Sequence, residues 1–270
     1  MPVASSMMPP VERSCYWLAK RPARPVSALA GRAEADVAIV GAGLTGLWTA
    51  IGIKELDPAA DVVVLEQAEA AYGASGRNAG MLSETVDHSH ALAIEHFGET
   101  EARRLARLGE RNVSEMVDFL GRHGITCDYE PVGRLMVALT PAQLEDARRA
   151  VETARRLGVE TFTLLDRDEL AARIRSPLYL GGVAVSGGGI LDPVKLVDGL
   201  ADHARRSGVR IHERSAVTRV ERAGAGVRLG TVGGEVRAAR AVLATSAYSH
   251  HLLPRLTRRF IPLYDYVLVS

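Results

Sequence analysis

DVAIVGAGLTG, residues 36–46, and DVVVLE, residues 61–66, decide the fold. Asp36 to Val40 is a short apolar run that stops at Gly41, the pattern of a strand buried on both faces in a parallel sheet. Leu44 to Leu56 has helical periodicity, and Asp57-Pro58 ends it, because proline lacks the amide and disfavours helix in the residue before it. Asp61 to Glu66 is a second buried strand, so the three pieces form a right-handed strand–helix–strand unit. Within the turn, Gly41 lets the chain leave the strand sharply, Gly43 stands where a side chain would block a pyrophosphate, and Gly46 lets the helix pack closely on the sheet. The helix amides and dipole then favour negative charge at the loop, which makes Gly41, Ala42, Gly43, Thr45 and Gly46 candidate phosphate-binding positions. Glu66 stands where a carboxylate accepts both hydroxyls of a ribose. The constellation predicts a dinucleotide site. NAD and FAD both fit it, whereas a carboxylate at position 66 repels the 2′-phosphate of NADP.

Working outward, Gly73-Ala-Ser-Gly-Arg-Asn-Ala-Gly80 follows the second strand and offers an anionic ligand free amides, a hydroxyl, an amide side chain and a guanidinium. Arg77 is a candidate partner for pyrophosphate or a neighbour of a bound ring, and Ser75 and Asn78 are candidate hydrogen-bond partners. The middle of the chain has another rhythm. An amphipathic helix is predicted over Glu99–His123 with Gly124 closing it, a strand over Arg134–Leu139, and a helix opened by the capping box Thr140-Pro-Ala-Gln143 and running to Gly158. Short apolar runs over Leu178–Gly189 suit antiparallel strands. Asp192-Pro193 opens a further helix ending at Gly208, Val209–His212 is a strand, and Ala216–Arg237 reads as a β-meander. Ala241–Ala244 is predicted to return to the parallel sheet, which makes the nucleotide domain discontinuous.

A chain of 270 residues, 47% hydrophobic and 24% charged, is long enough for one large domain or two intimate ones. Thirty-three basic against 32 acidic side chains give a formal charge of +1, which excludes a field over the whole protein that selects nucleic acid or an anionic membrane. Lysine occurs only at Lys20, Lys54 and Lys195, an arginine bias that reads as the codon usage of a high-GC bacterium. Two distant cysteines, Cys15 and Cys127, make no disulfide framework or metal pattern, and no metal is expected. Residues 1–34 read as a flexible leader with Tyr16, Trp17 and Leu18 as one apolar anchor. No segment has the form of a signal peptide or a membrane span, so a cytoplasmic protein is expected.

EADVAIVGAGLTGLWTA, VVVLEQ, GASGRNAG, GILDPVKLVDGLADHARRSGV, VLATSAYS and IPLYDYVLVS, in that order, resemble the D-amino-acid oxidase and glycine oxidase superfamily, above all its gamma-glutamylputrescine oxidoreductase-like branch. The likeness runs from about Tyr16 to Ser270 and favours FAD over NAD. It implies an α/β fold: an FAD-binding Rossmann-like domain of the glutathione-reductase type with a β-meander, from residues 35–86 and 188–258. An α+β substrate domain with an antiparallel sheet would come from residues 87–187 and 259–270. By the same resemblance Gly41, Gly43, Gly46 and Glu66 hold the ADP half of FAD and Ser75, Arg77 and Asn78 line the flavin half. Val217 matches a position whose backbone contacts adenine, and Ala244-Thr245 the strand end that passes the cofactor. Relatives often carry Asn or Gly where this chain has Ser246.

The implied reaction oxidises a C–N bond of an amine or amino acid, with hydride passing to flavin N5, imine hydrolysis, and oxygen as acceptor. Such chemistry requires no acid–base triad, so His88, His90, His250 and His251 are not assigned as catalysts, and the catalytic residues are left unassigned. IPLYDYVLVS ends the chain on an apolar, β-prone run, which predicts an incomplete substrate domain; Tyr264 and Tyr266 are read as core before substrate contacts. A catalytically silent nucleotide-binding fragment and an NAD-dependent dehydrogenase are the competing readings.

Overall fold

The computed structural model describes residues 14–85 and 89–263; His88, Tyr264 and Tyr266 fall outside them. In chain order the elements are α1 (Tyr16–Ala19), β1 (Gly31–Val40), α2 (Leu44–Leu56), β2 (Val62–Leu65), β3 (Met81–Leu82), α3 (His90–His123), β4 (Arg134–Ala138), α4 (Pro141–Arg156) and β5 (Phe162–Leu165). They continue with α5 (Arg167–Ala171), β6 (Gly181–Val185), β7 (Gly189–Ile190), α6 (Pro193–Arg206), β8 (Arg210–His212), β9 (Val217–Ala223), β10 (Gly226–Thr231) and β11 (Gly234–Leu243). The chain divides into two compact units, Met1–Ala79 with Pro193–Ser270, and Gly80–Asp192.

The first unit is built on a six-stranded sheet in the order β8-β2-β1-β11-β10-β9. β8, β2, β1 and β11 run parallel to one another, and β10, antiparallel to β11, and β9, antiparallel to β10, complete the sheet. Residues alternate across a strand. Ala38, Val40, Val63 and Leu65 therefore share one face, where they pack with Leu229, Val236 and Ala238. Ile39, Val62 and Val64, fully buried, take the other face, the one that receives α2. α6 packs beside α2 and buries Val194, Leu196, Val197, Leu200, Ala201 and Ala204.

Two strands differ from the sequence reading. The meander and the return strand, expected as separate pieces, are one: β11 pairs antiparallel with β10 over Glu235–Ala238 and parallel with β1 from Gly234 to Leu243. β1 is correspondingly longer and starts at Gly31, five residues before Asp36. The extension GRAEA escapes a hydrophobicity pattern because its side chains are half-buried or exposed, and its order comes from the backbone ladder.

Residues 14–34, expected as a flexible leader, are built into this unit. Arg21 pairs with Asp198 on α6 and donates to the Ala70 carbonyl at 2.9 Å. Arg24 forms a two-pronged pair with Glu213. The Glu213 amide donates to the Ser27 carbonyl at 2.9 Å, and the Leu29 amide to the Ser215 hydroxyl at 2.8 Å. Scattered arginines look solvated in a sequence; here their partners are carboxylates about 175–190 residues away. Glu213 is fully buried and takes further hydrogen bonds from the Ala70 amide at 2.7 Å and Arg205 at 3.1 Å. Burial pushes its carboxyl up, but the Arg24 hydrogen bond, the Ala70 amide and the charges of Arg24 and Arg205 outweigh it and hold Glu213 below the ordinary glutamate value.

The second unit is a three-stranded antiparallel sheet, β4-β6-β5, covered by α3 and α4 through Ala102, Ala106, Val151, Ala154, Leu157, Phe162, Val183 and Val185. The Thr140–Gln143 capping box is formed, and Gly124 ends α3 in the left-handed conformation, φ 64°. α3 breaks at Gly98 (φ 77°, ψ 162°), so the helix expected from Glu99 is preceded by a shorter one from His90. The apolar run at 178–189 becomes β6 and β7, and β7 pairs with β3. β5, short and set between two helices, was not expected.

Removing one member of a buried ion pair strands the other, so Glu213→Ala should lower unfolding free energy by about 3–5 kcal/mol in urea titrations. A carboxyl held low in the folded state stabilises fully above its unfolded pKa of about 4.3 and loses that contribution as pH falls through the lower folded value. Glu213→Gln should therefore show a shallower loss of stability than wild type below about pH 4.3, and a parallel loss would disprove the assignment.

Candidate functional site

The site is built at the carboxyl ends of β1, β2 and β11. The Gly41 amide donates to the Leu65 carbonyl at 2.8 Å and the Ala244 amide to Val40 at 2.9 Å, so the three strand ends are tied together. Gly41 has φ 106°, and a β-carbon there would lie 2.6 Å from the Ala244 carbonyl oxygen, which only glycine avoids. A β-carbon on Gly46 would lie 1.9 Å from the Gly41 carbonyl oxygen, so the helix start sits directly on the turn. The first intrahelical bond of α2 runs from the Leu47 amide to the Gly43 carbonyl, 3.0 Å. The amides of Leu44, Thr45 and Gly46 precede it at the positive end of the helix dipole.

Glu66 lies just beyond β2, half-buried. One carboxylate oxygen accepts the Ala42 amide at 2.9 Å and the other the Ala68 amide at 3.0 Å. A carboxylate has about four acceptor positions, so two bonds to amides fix its orientation and leave capacity for two hydroxyls. Its backbone is held too, by the His212 carbonyl at 2.9 Å and the Ser215 amide at 2.7 Å, which brings the start of β9, Val217, to within two residues of the Glu66 contact. Burial, with the charge of Arg210, lowers the His212 imidazole pKa.

The 73–80 loop touches the glycine loop. The Ser75 hydroxyl accepts the Leu44 amide at 3.0 Å, and a β-carbon on Gly43 would stand 2.7 Å from that hydroxyl. Thus Gly43 is kept small by Ser75 within the protein itself. Arg77 and Asn78 do not project as expected. Arg77 donates to the Tyr72 carbonyl at 2.6 Å with its guanidinium over the Tyr72 ring, and the Asn78 side chain donates to the Ala74 and Ser75 carbonyls at 3.2 and 3.0 Å. The carbonyls of a tight glycine-rich loop need donors, and these two side chains supply them. Thr45 is exposed in the first turn of α2, and its carbonyl accepts the Thr49 hydroxyl.

Thr245 follows the Ala244 carbonyl that crowds Gly41, and its hydroxyl is 2.8 Å from that of Ser249. Ser246 has φ 45°, a conformation glycine and asparagine take with little penalty. His90 packs its ring 5.2 Å from that of Phe162, and burial lowers its pKa; His250 Nδ1 lies 2.8 Å from the Ala247 carbonyl beside His251. What sequence reasoning missed is a second duty of the backbone: the amides of Ala42 and Ala68 orient Glu66 and that of Leu44 orients Ser75, without any residue-type signature.

A twofold glycine cradle, an oriented carboxylate and a helix amino end define a dinucleotide-binding α/β protein. The chain belongs to the DAO family, FAD dependent oxidoreductases, whose family model matches residues 36–270. It is 33% identical over 228 residues to gamma-glutamylputrescine oxidoreductase of Escherichia coli (strain K12), covering 84% of this chain and 53% of that protein. It is 30% identical over 261 residues to the probable oxidoreductase OrdL of Rhizobium meliloti (strain 1021), covering 96% of this chain and 60% of that one. The crystal structure of glycine oxidase from Geobacillus kaustophilus is similar at TM-score 0.66 and 25% identity, over 83% of this chain and 58% of that chain. The chain therefore spans 53% and 60% of the length of these two curated relatives. No helix among the described residues is long and apolar enough to cross a membrane.

Relief of the left-handed strain at Ser246, partly offset by the greater backbone freedom of glycine in the unfolded chain, should make Ser246→Gly more stable by up to about 1 kcal/mol in chemical denaturation. A destabilised variant would show that the side chain is needed there.

Proposed function

We propose that Gly41, Ala42, Gly43, Thr45, Gly46 and Glu66 bind the ADP half of FAD, that Ser75, Arg77 and Asn78 line its flavin half, and that Val217 and Thr245 flank it. We infer further that the protein oxidises the C–N bond of an amine or amino acid. The observation that carries the reading is one convergence: the α2 amino end, the Glu66 carboxylate and the Ser75 hydroxyl are joined by hydrogen bonds into a single preformed wall. That wall fits the cofactor of the family. Amides ahead of the first helical bond suit phosphates, the free acceptor positions of Glu66 suit ribose hydroxyls, and no β-carbon stands in the cradle.

When bound, FAD would supply the hydride acceptor for oxidation of the carbon next to a neutral amine, with imine hydrolysis to follow and oxygen as the proposed final acceptor. The work left to the chain is to bind and orient. Glu66 fixes the ribose and with it the register of the ligand along the wall, while the α2 dipole offsets the pyrophosphate charge. Arg77 gives its Nε–H to the Tyr72 carbonyl and keeps its other guanidinium donors, and Asn78 gives its side-chain amide to the Ala74 and Ser75 carbonyls, so both side chains brace the loop from which they would line the ligand. The unit Gly80–Asp192 is read as part of the substrate domain, and the amine or amino-acid class follows that of the relatives gamma-glutamylputrescine oxidoreductase and glycine oxidase.

Titration of the purified chain with FAD, followed by flavin fluorescence and absorbance, tests the reading. Saturable binding at one FAD per chain is expected, with ADP competing. Glu66→Gln should weaken it by roughly tenfold or more, since a hydrogen bond to a charged group is worth about 1.5–3 kcal/mol. A protein that stays colourless and refuses added FAD, or one that takes NADH in its place, overturns it.

A further inference from the structure

The segment Ser14–Arg24 lies against the 73–80 loop and is not needed to close the sheet, since β1 begins only at Gly31. Its two contacts with the loop are specific. The Trp17 indole N–H donates to the Asn78 carbonyl at 2.9 Å, and the Cys15 thiol to the Gly76 carbonyl at 3.3 Å. Both acceptors belong to the backbone of the loop that carries Ser75, Arg77 and Asn78. The Tyr16 ring packs edge-on against the Trp17 indole with centroids 5.0 Å apart, which fixes the ring that makes the longer reach.

The other end of the segment is firmly anchored. Arg21 holds Asp198 on α6 and the Ala70 carbonyl, and Arg24 holds the buried Glu213. Helix α6 also packs against the turn Ala74–Gly76. A short piece of chain is therefore pinned by buried charge at one end and fastened to loop carbonyls at the other.

We propose that Ser14–Arg24 is a strap that holds the 73–80 loop in its ligand-ready conformation, with Trp17 as the positioning residue. The proposal rests on the reading of that loop as the flavin-side wall. Its physical basis is ordering entropy. The loop carries three glycines, which lose more freedom on ordering than other residues, and a binding site ordered in advance loses less of it when a ligand arrives. The strap also accounts for the arginines at 21 and 24: an ion pair at the base makes a hydrogen bond at the tip effective, because the donor has nowhere else to go.

Trp17→Phe in the full chain tests this, because it keeps an aromatic ring and removes the donor. Three quantities are read: FAD affinity by flavin fluorescence, the rate of tryptic nicking after the exposed Arg77 in the absence of FAD, and the thermal midpoint. The loss of one hydrogen bond should weaken FAD binding by roughly three- to tenfold and speed nicking at Arg77 by a similar factor, with Trp17→Ala at least as severe in both. A lowered thermal midpoint with wild-type affinity and wild-type nicking would make Trp17 a merely structural residue and overturn the strap. If wild type itself takes up no FAD, the cofactor assignment falls, and nicking alone decides: faster cleavage in Trp17→Phe keeps the strap as a loop clamp, and an unchanged rate overturns it.

Discussion

The Glu66 carboxylate, bonded through one oxygen to the Ala42 amide and through the other to the Ala68 amide, is the contact on which the site depends. It joins the end of β2 to the turn that leaves β1, and so sets the distance between the glycine turn proposed to take the phosphates and the carboxylate proposed to take the ribose. An acid in this position has two duties that do not conflict. Its orientation is fixed by backbone donors, and its remaining acceptor positions stay available to a ligand. Because those donors are amides, no side-chain substitution elsewhere can take them away. The geometry is as durable as the strand–turn–helix unit itself.

A second acid does comparable work on the other side of the same connection. Glu213 gathers Arg24, Arg205 and the Ala70 amide in the interior, and Glu69, in the loop between Glu66 and Ala70, pairs with Arg214 at 3.0 Å and with Arg21 at 3.5 Å. The loop that leaves Glu66 is thus held by charge. Buried carboxylates are expensive unless each is paired and hydrogen-bonded, and the network meets that condition with groups drawn from the amino-terminal segment, α6 and the turn after β8. One set of ion pairs therefore binds the start of the described chain to the base of the candidate site.

The strand–helix–strand unit was legible because it is local: an apolar run, three glycines, an amphipathic stretch and an acid, all within 31 residues from Asp36 to Glu66. The Thr140 capping box and the Gly124 stop were legible for the same reason. What escaped was non-local. The extension of β1 is a polar-looking sequence ordered by a partner strand some 200 positions away, and Arg21 and Arg24 are held by carboxylates about 175–190 positions away. At the site, residue types pointed to Gly41–Gly46, Glu66 and Ser75, and the structure brings these together. Arg77 and Asn78 differ because the loop's own carbonyls claim them, a competition that composition does not reveal. Position 246 is instructive in another way: Ser246 has a left-handed backbone, φ 45°, the conformation that suits the Asn or Gly expected there from the resemblance.

β11 forms the full-length parallel partner of β1, Gly31 opposite Gly234 and Val40 opposite Leu243. During synthesis at about 5–20 residues per second, β1 emerges roughly 10–40 s before the strand that will cover its edge. Over that interval Ala38, Ile39 and Val40, strand residues buried in the finished sheet, have β2 on one side only. All residues of the intervening unit, Gly80–Asp192, are synthesised before β11 is made. The nascent chain thus passes through a stage in which the sheet lacks β11, and its exposure to aggregation and to chaperones is set by the speed of translation between codons 40 and 234.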